Sequence, residues 1–318
     1  MKAVDLFAGA GGATLGLTRA GLDVVWAANH WGSAVKLHSA RHPGVEHEQQ
    51  DLQQADFSTL PLHDVLWASP ACQGHSQAAS GGGRHERRGR APVHDYLRST
   101  AWAAVTAAEV NQPEVAVIEN VTSFRRWPLY AAWRSAWEAL GYALSEHVVN
   151  SAGLGVPQDR ERLFVVAVQG ETPLDLPLPQ TEGRKTLADV MDDRGGRWSR
   201  VSRCRSGVQR RVRQSIEARG YSGAFFTQSV SGHKGRGLDR PAPTVTTKHQ
   251  MGWVRGRGRW DRREYRPWTV AEYERAMGFP EGYVSELEPS VTTSVKLLGN
   301  AVVPAVARWL GEQIVSRV

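Results

Sequence analysis

The sequence predicts an α/β fold: a doubly wound, mostly parallel sheet joined to a smaller domain of short strands and loops. Three observations predict it. Short apolar runs alternate with segments of helical composition between residues 2 and 168, the pattern of linked βαβ units. The first run ends in the turn Gly9-Ala10-Gly11-Gly12. The alternation then stops at a stretch marked by Pro173, Pro177 and Pro179, beyond which the chain is rich in Arg, Gly and Ser.

The elements follow in order. Residues 2–8 read as a first strand running into the glycine turn, and 13–20 as a helix with Gly21 at its C-cap. Residues 23–28 form a second strand, and a short third strand is expected to end near Asp51. Residues 64–68 read as a buried strand stopped by Pro70, which leaves Cys72 on the loop at the strand's carboxyl end. A helix of small residues over 99–111 leads to the buried strand 115–118, which ends in Glu119-Asn120-Val121. A helix over 129–140 with Gly141 at its C-cap, an extended segment at 143–150 and a strand at 162–168 complete the sheet. Residues 184–266 have weak periodicity and scattered Trp, and are expected to be short strands and loops. Thr269-Val270-Ala271-Glu272 is a capping box opening a helix over 269–277, and Gly299-Asn300-Ala301-Val302-Val303-Pro304 opens a last helix to 315.

A chain of 318 residues and 35.0 kDa holds one large domain or two unequal ones. No uninterrupted apolar stretch reaches the roughly 20 residues a membrane span needs. The first residues run directly into a strand, so no signal peptide is expected. Cys72 and Cys204 are the only cysteines, too few for a disulfide scaffold or a four-cysteine zinc site. A cytoplasmic protein without a metal is expected. The net charge of +7 conceals a segregation. Residues 183–267 hold 21 Lys+Arg against 7 Asp+Glu, while the remainder is net acidic. Arg outnumbers Lys 33 to 6, and its planar fork suits phosphate oxygens and guanine edges. Genome composition explains Arg over Lys but not the clustering, so the segment reads as a nucleic-acid footprint.

Two reacting groups stand at strand ends, where open α/β sheets carry their chemistry: the Cys72 thiol and the Glu119 carboxylate. A lone cysteine is usually a buried structural one, so the pair rather than the thiol alone carries the reading. The spacing G-x-G-G differs from dinucleotide and phosphate-loop motifs, which argues against NAD and ATP and suits S-adenosylmethionine. Asp51 can accept from an adenine amino group or cap a helix. Phe7 can stack on adenine or pack in the core.

At this point the chain resembles the DNA (cytosine-5) methyltransferases over nearly its whole length. Asp5-Leu6-Phe7-Ala8-Gly9-Ala10-Gly11-Gly12 looks like that family's cofactor loop, and Pro70-Ala71-Cys72-Gln73 its nucleophile loop. Glu119-Asn120-Val121, Gln158-Asp159-Arg160-Glu161-Arg162, the Glu272 to Pro280 run and Gly299-Asn300-Ala301-Val302-Val303 are similar to four further motifs, in the family's order. The resemblance implies a Rossmann-like S-adenosylmethionine-dependent catalytic domain over 1–183 and 286–318, and a basic target-recognition domain over 184–285. It implies Cys72, Glu119, Arg160 and Arg162 as catalytic residues, with one or both arginines lowering the thiol pKa and Arg162 also holding the base O2. It implies cofactor contacts at Phe7, Ala8, Gly9, Gly11, Gly12, His30, Trp31, Asp51, Leu52, Pro70, Asn300 and Val302. DNA contacts are expected at Gln73, Ser76, Arg84, Arg88, Arg203, Arg205, Arg255 and Arg257, with the glycine- and arginine-rich segment 80–90 closing on a flipped base. The implied partner is double-stranded DNA, alongside a functionally paired restriction endonuclease, for a monomer at the nucleoid.

The chain departs from the family at three places. Ala28-Asn29-His30-Trp31 lacks the acidic residue that usually holds the cofactor ribose, so the ribose is held otherwise or the cofactor differs, a carboxylated S-adenosylmethionine being one variant. Ala71 stands where Pro is usual, and Gly74-His75-Ser76 where Pro-Phe-Ser is usual. The competing readings are a tRNA cytosine-5 methyltransferase and a catalytically silent DNA-binding homologue. The large basic insert favours duplex DNA over the first, and intact Cys72, Glu119 and Arg162 argue against the second.

Overall fold

The structure, a computed structural model, describes residues 1–71, 99–177, 183–230 and 232–316. Its elements run β1 (Lys2–Leu6), α1 (Gly12–Arg19), β2 (Asp23–Ala28), α2 (Gly32–Arg41), β3 (Glu46–Glu48), β4 (Val65–Ala68), α3 (Trp102–Asn111), β5 (Val115–Asn120), α4 (Tyr130–Ala139), β6 (Tyr142–Asn150), β7 (Gln158–Asp159) and β8 (Glu161–Gln169). They continue with α5 (Leu187–Val190), β9 (Ser199–Arg200), α6 (Ser206–Arg219), β10 (Phe225–Gln228), β11 (Ala242–Pro243), β12 (Met251–Arg255), β13 (Glu264–Pro267), α7 (Val270–Met277), α8 (Val291–Asn300) and α9 (Pro304–Val315). The chain divides into two compact units. One comprises Met1–Asn150, Glu161–Gln180 and Ala301–Val318; the other comprises Ser151–Arg160 and Thr181–Asn300. Residues 151–160 and 286–300 thus fall with the basic region.

The first unit is built on a seven-stranded sheet of order β3-β2-β1-β4-β5-β8-β6. Its first five strands are parallel. β8 is antiparallel to both β5 and β6, so six strands run one way, as the mostly parallel expectation has it, and β8 alone runs against them. β4 and β5 are buried along their whole length, which is why they read as continuous apolar runs rather than alternating ones. One side of the sheet packs on an aromatic ladder. Phe124 lies 5.2 Å from Trp133, Trp133 lies 6.0 Å from Trp137, and Trp137 lies 5.5 Å from Tyr142, all edge-to-face, the geometry favoured by the ring quadrupoles.

Several boundaries differ from expectation for local reasons. β1 ends at Leu6 because Phe7 takes φ +63°, a left-handed conformation no strand continues through. β3 ends at Glu48 rather than near Asp51, whose carboxylate instead accepts from the Gln53 amide at 3.1 Å in a tight turn.

The second unit holds a four-stranded antiparallel sheet of order β10-β12-β13-β9 and a short parallel pair, β11 with β7. Its small core joins Val201, Val212, Phe225 and Val254. Where the sequence suggested only strands and loops, α6 runs for 14 residues. Its inward stripe is Val208, Val212, Ser215 and Ile216 set among four arginines, too narrow an apolar face to stand out by periodicity. The expected capping box at Thr269 forms: the Glu272 amide donates to Thr269 Oγ1 and the Thr269 amide donates to the Glu272 carboxylate.

Glu272 is also the centre of this unit's buried polar network. Its carboxylate accepts two hydrogen bonds from the Arg266 guanidinium (2.7 and 2.8 Å), one from Trp253 Nε1 (2.7 Å) and one from the Asp192 amide (3.0 Å). Neither side chain of the Arg266–Glu272 pair is exposed.

Candidate active site

The carboxyl edge of the parallel strands gathers the candidate catalytic groups of the first unit. Register aligns Leu6 with Ala68 and Ala68 with Ile118, so β1 and β4 end at one level and β5 carries Glu119 and Asn120 just beyond it. The loop after β4 is tied down residue by residue. The Ser69 amide donates to Leu6 O (3.1 Å), Ser69 Oγ accepts from Trp67 Nε1 (3.0 Å), and the Ala71 amide donates to Thr100 Oγ1 (3.1 Å). Pro70 is buried, and its carbonyl accepts from Asn120 Nδ2 at 3.4 Å. Cys72 follows directly on this anchored stretch. Cys72 itself, with Gln73, Ser76, Arg84, Arg88 and the segment 80–90, lies outside the described residues.

Glu119 closes β5, largely buried, and its Oε1 pairs with Arg162 Nε at 3.2 Å. The antiparallel turn of β8 makes the pair possible. Because β8 runs against β5, its first residues arrive at β5's carboxyl end, where Phe164 faces Glu119 and Leu163 faces Asn120. A parallel strand would have delivered Arg162 to the opposite edge. Arg162 also donates from Nη1 to the Glu161 carbonyl (2.8 Å), which leaves its fork oriented along the sheet edge.

Arg160, two residues earlier, has a different setting. It is buried in the second unit, and its guanidinium donates to the carbonyls of Val245 (3.1 Å) and Gly299 (3.2 Å). Gln158 beside it donates to Ala276 O and accepts from the Val245 amide. The double-arginine motif therefore divides its labour: Gln158 and Arg160 brace the second unit, and Arg162 pairs with the carboxylate. A bracing role was not legible in the sequence, where the two arginines look equivalent. Gly299 is fixed by the same packing, since a Cβ there would stand 2.4 Å from the Thr246 carbonyl carbon.

At the glycine loop, Gly11 takes φ +82° as the N-cap of α1 and offers no side chain to that helix end. Gly9 has open space where a Cβ would be. A ligand's backbone-sized or anionic tail fits such a turn. Ala8 is buried and its amide donates to Ala28 O (2.9 Å), while Gly12 begins α1. Phe7 packs against the main core cluster and Leu52 is buried in it. Asn29 Oδ1 accepts from the Trp31 amide (2.8 Å) in the turn that precedes α2; His30 is exposed beside it and Trp31 half-buried. The loop fits the methionine end of S-adenosylmethionine, and the absence of a carboxylate among residues 28–31 leaves no acidic ribose partner there. Asn300 is exposed at the end of α8, whereas Val302 is buried in the first unit.

Of the arginines expected at DNA, Arg203 and Arg205 are exposed ahead of α6. Arg257 is exposed at the tip of the β12–β13 hairpin, between Gly256 and Gly258. Arg255 is held instead: its Nε pairs with Glu264 at 2.8 Å and its guanidinium lies 4.2 Å from the Trp198 ring centre. An open cleft of about 810 Å³ beside α6 is lined by Arg210, Arg211 and Lys234 together with Glu217 and His233. None of the described helices is long and apolar enough to cross a membrane.

The family model for C-5 cytosine-specific DNA methylase matches residues 1–316. The chain is 26% identical to Type II methyltransferase M.MthTI of Methanothermobacter thermautotrophicus over 99% of its length and 97% of that protein's. It is 28% identical to Type II methyltransferase M.HgiDI of Herpetosiphon aurantiacus, covering 99% and 94% of the two chains. The solved structure of Entamoeba histolytica methyltransferase EhMeth superposes with a TM-score of 0.71 at 14% identity, over 99% and 98% of the chains, a likeness of fold. A carboxylate–guanidinium pair at the edge of a Rossmann-like sheet, a glycine turn after its first strand and a match over nearly every residue lead to one conclusion: the chain belongs to the C-5 cytosine-specific DNA methylases.

Proposed function

We propose that this enzyme methylates C5 of cytosine within a specific duplex DNA sequence, with S-adenosylmethionine as methyl donor, by covalent attack of Cys72 on C6 of a flipped base. The single observation that carries the reading is the Glu119–Arg162 pair at 3.2 Å, set on the same sheet edge as the anchored stretch Ser69–Ala71 that leads into Cys72.

Cytosine C5 is a weak nucleophile. Thiolate addition at C6 makes C5 enamine-like, which splits one hard step into easier ones. Glu119 hydrogen-bonds N3 and the exocyclic amine and stabilises the charge that ring attack develops. Arg162 orients that carboxylate through Nε and presents its remaining donors to O2. Bound over the glycine loop, S-adenosylmethionine supplies an electrophilic methyl group. Loss of the C5 proton then expels Cys72. Flipping the base costs a few kcal/mol, which contacts from the basic unit offset. Arg203, Arg205, Arg257 and the cleft residues Arg210, Arg211 and Lys234 are assigned to the DNA backbone and bases. Arg255, held by Glu264 and Trp198, is assigned to shaping the hairpin that carries Arg257. The first unit is the catalytic domain and the second the target-recognition domain. As in Type II systems, a restriction endonuclease of the same specificity is the functional partner.

The test is methyl transfer from labelled S-adenosylmethionine to unmethylated genomic DNA, with nucleosides identified by mass, comparing wild type with Cys72→Ala. 5-Methylcytosine that vanishes in the variant is expected. No product on DNA, or a product carrying a mass other than a methyl group, would overturn the proposal.

A further inference from the structure

Beneath the glycine loop lies a file of four side chains that the chemistry above does not use. Asp5 on β1 is buried, and its Oδ2 is 2.8 Å from Thr14 Oγ1 on α1. Thr14 Oγ1 is 3.0 Å from His38 Nε2 on α2, and His38 Nδ1 is 2.7 Å from His47 Nε2 on β3. Asp5, Thr14 and His38 are at most 1% exposed, whereas His47 is half-buried. His47 makes one further bond, to the backbone of Val45. Burial lowers the His47 pKa, and this bond opposes that only in part, favouring the protonated ring, so it runs from the remaining ring N–H to a carbonyl. Asp5 Oδ1 has no hydrogen-bond partner among the described residues. The file brackets residues 7–12, since Asp5 precedes the loop and Thr14 follows it. His42, the residue that caps the end of α2, has its ring centre 4.7 Å from that of His38 at a tilted angle and bonds the backbone of Gly11 within the loop.

Hydrogen-bond counting allows this file two states in which each of its links is bonded. In the first every group is neutral. The Asp5 acid donates to Thr14 Oγ1, the Thr14 hydroxyl donates to His38 Nε2, His38 Nδ1–H donates to His47 Nε2, and His47 Nδ1–H donates to Val45. In the second, one proton has moved along each of the three links in the same direction. Asp5 is then a carboxylate accepting from Thr14, Thr14 accepts from His38 Nε2–H, His38 Nδ1 accepts from His47 Nε2–H, and His47 is an imidazolium. No proton is gained or lost overall, and every link stays bonded in both states.

We propose that Asp5, Thr14, His38 and His47 form a proton wire that lets the floor of the glycine loop gain or shed a negative charge, and so favours a cationic ligand over its neutral product. The inference rests on the S-adenosylmethionine reading above. The donor bears a sulfonium charge that the thioether product lacks. A cation over the loop favours the Asp5 carboxylate and His47 imidazolium state, and a neutral ligand the uncharged state. Burial raises Asp5 to about 7, the Thr14 hydroxyl and amide opposing it only in part, so neither state lies far out of reach near neutrality. Burial, with His42 and His47, lowers His38 to about 2, which suits a relay that never holds the extra proton itself. The other titratable groups on α2 and β3 are Lys36, Arg41, Glu46 and Glu48, with His42 at the end of α2.

The experiment is histidine-ring ¹⁵N spectroscopy of the full chain, with calorimetric affinities for S-adenosylmethionine and S-adenosylhomocysteine. Saturating wild type with the former is expected to move the His47 nitrogens toward imidazolium, and the latter to leave them. Thr14→Val breaks the file. It should abolish the shift and lower the donor-to-product affinity ratio on the order of tenfold, the equivalent of one pKa unit of coupling. Thr14→Ser should restore both. An unchanged His47 in donor-saturated wild type, the same shift with the product, or the shift persisting in Thr14→Val would overturn the wire. If calorimetry detects no S-adenosylmethionine binding, the cofactor reading fails, and the free protein decides the wire alone: Asp5→Asn must lower the His47 pKa, and must no longer do so on a Thr14→Val background.

Discussion

Replacing Glu272 by Gln tests the account of the second unit most sharply. The carboxylate sits at 0% exposure against an Arg266 guanidinium at 0%, with two bonds of 2.7 and 2.8 Å between them. Glutamine keeps the volume but removes the charge, and its amide N–H₂ must face Arg266, Trp253 Nε1 and the Asp192 and Thr269 amides, all donors, with only the Thr269 hydroxyl, 3.3 Å from one oxygen, able to accept. Breaking one partner of such a pair costs roughly 3–5 kcal/mol, because the remaining ion stays buried and uncompensated. That is a large share of the roughly 5–15 kcal/mol that holds a domain folded. At about 2–4 °C per kcal/mol for proteins of this size class, the melting midpoint falls by roughly 6–20 °C. The assay is a melt followed by Trp fluorescence, since Trp253 reports on the network directly. Arg266→Met alone should cost a comparable amount, for it strands the carboxylate. The double variant should lose markedly less than the two singles together, because charge is then removed from both sides. A Glu272→Gln loss below about 1 kcal/mol, or strict additivity of the two singles, would refute the reasoning, since that is the range of exposed pairs.

Three further outcomes are expected. Glu119→Gln should lower single-turnover methyl transfer by about 10²–10⁴, the usual worth of a positioned proton donor; an unchanged rate in the folded variant would remove Glu119 from the chemistry. Acid should weaken the fold. Burial first of all lowers His42 and His233 to about 4, so between about 6.5 and 4 the unfolded chain binds more protons than the folded one, and stability is lost as pH falls through that window. Asp5 opposes this, since its raised pKa makes its contribution largest at low pH and lost as pH rises through about 7. A melting midpoint that rises steadily from pH 7 to pH 4.5 would contradict the histidine assignment, and His42→Asn with His233→Asn should flatten the acid limb. Finally, Arg257→Gln should reduce the salt dependence of DNA binding by about one counterion in slope without moving the melting midpoint, whereas Arg255→Gln should lower the midpoint as well. Identical melting behaviour of the two variants would show that Trp198 and Glu264 do not anchor Arg255.

The sequence by itself determined the parallel half of the sheet, the glycine turn after the first strand and the placement of Glu119 at a strand end. These are local matters: a continuous apolar run of four to six residues closed by Pro70 or by Glu119-Asn120 has few alternatives once it lies between helical segments. It also determined the capping box at Thr269, where donor and acceptor lie three residues apart. The antiparallel course of β8 was decided only in three dimensions, because nothing in residues 161–169 encodes direction, yet that direction is what delivers Arg162 to Glu119. The different settings of Arg160 and Arg162 were likewise invisible, since the carbonyls that hold Arg160 come from residues 245 and 299. α6 escaped because its apolar stripe is narrow and its arginines read as footprint rather than helix. The Asp5–Thr14–His38–His47 file joins four separate elements, and only the register of β1, β2 and β3 and the packing of α1 and α2 bring them within hydrogen-bond reach. Sequence spacing encodes periodicity and caps; contacts between residues far apart in the chain are fixed by how whole elements pack, and most of the candidate site's electrostatics lies there.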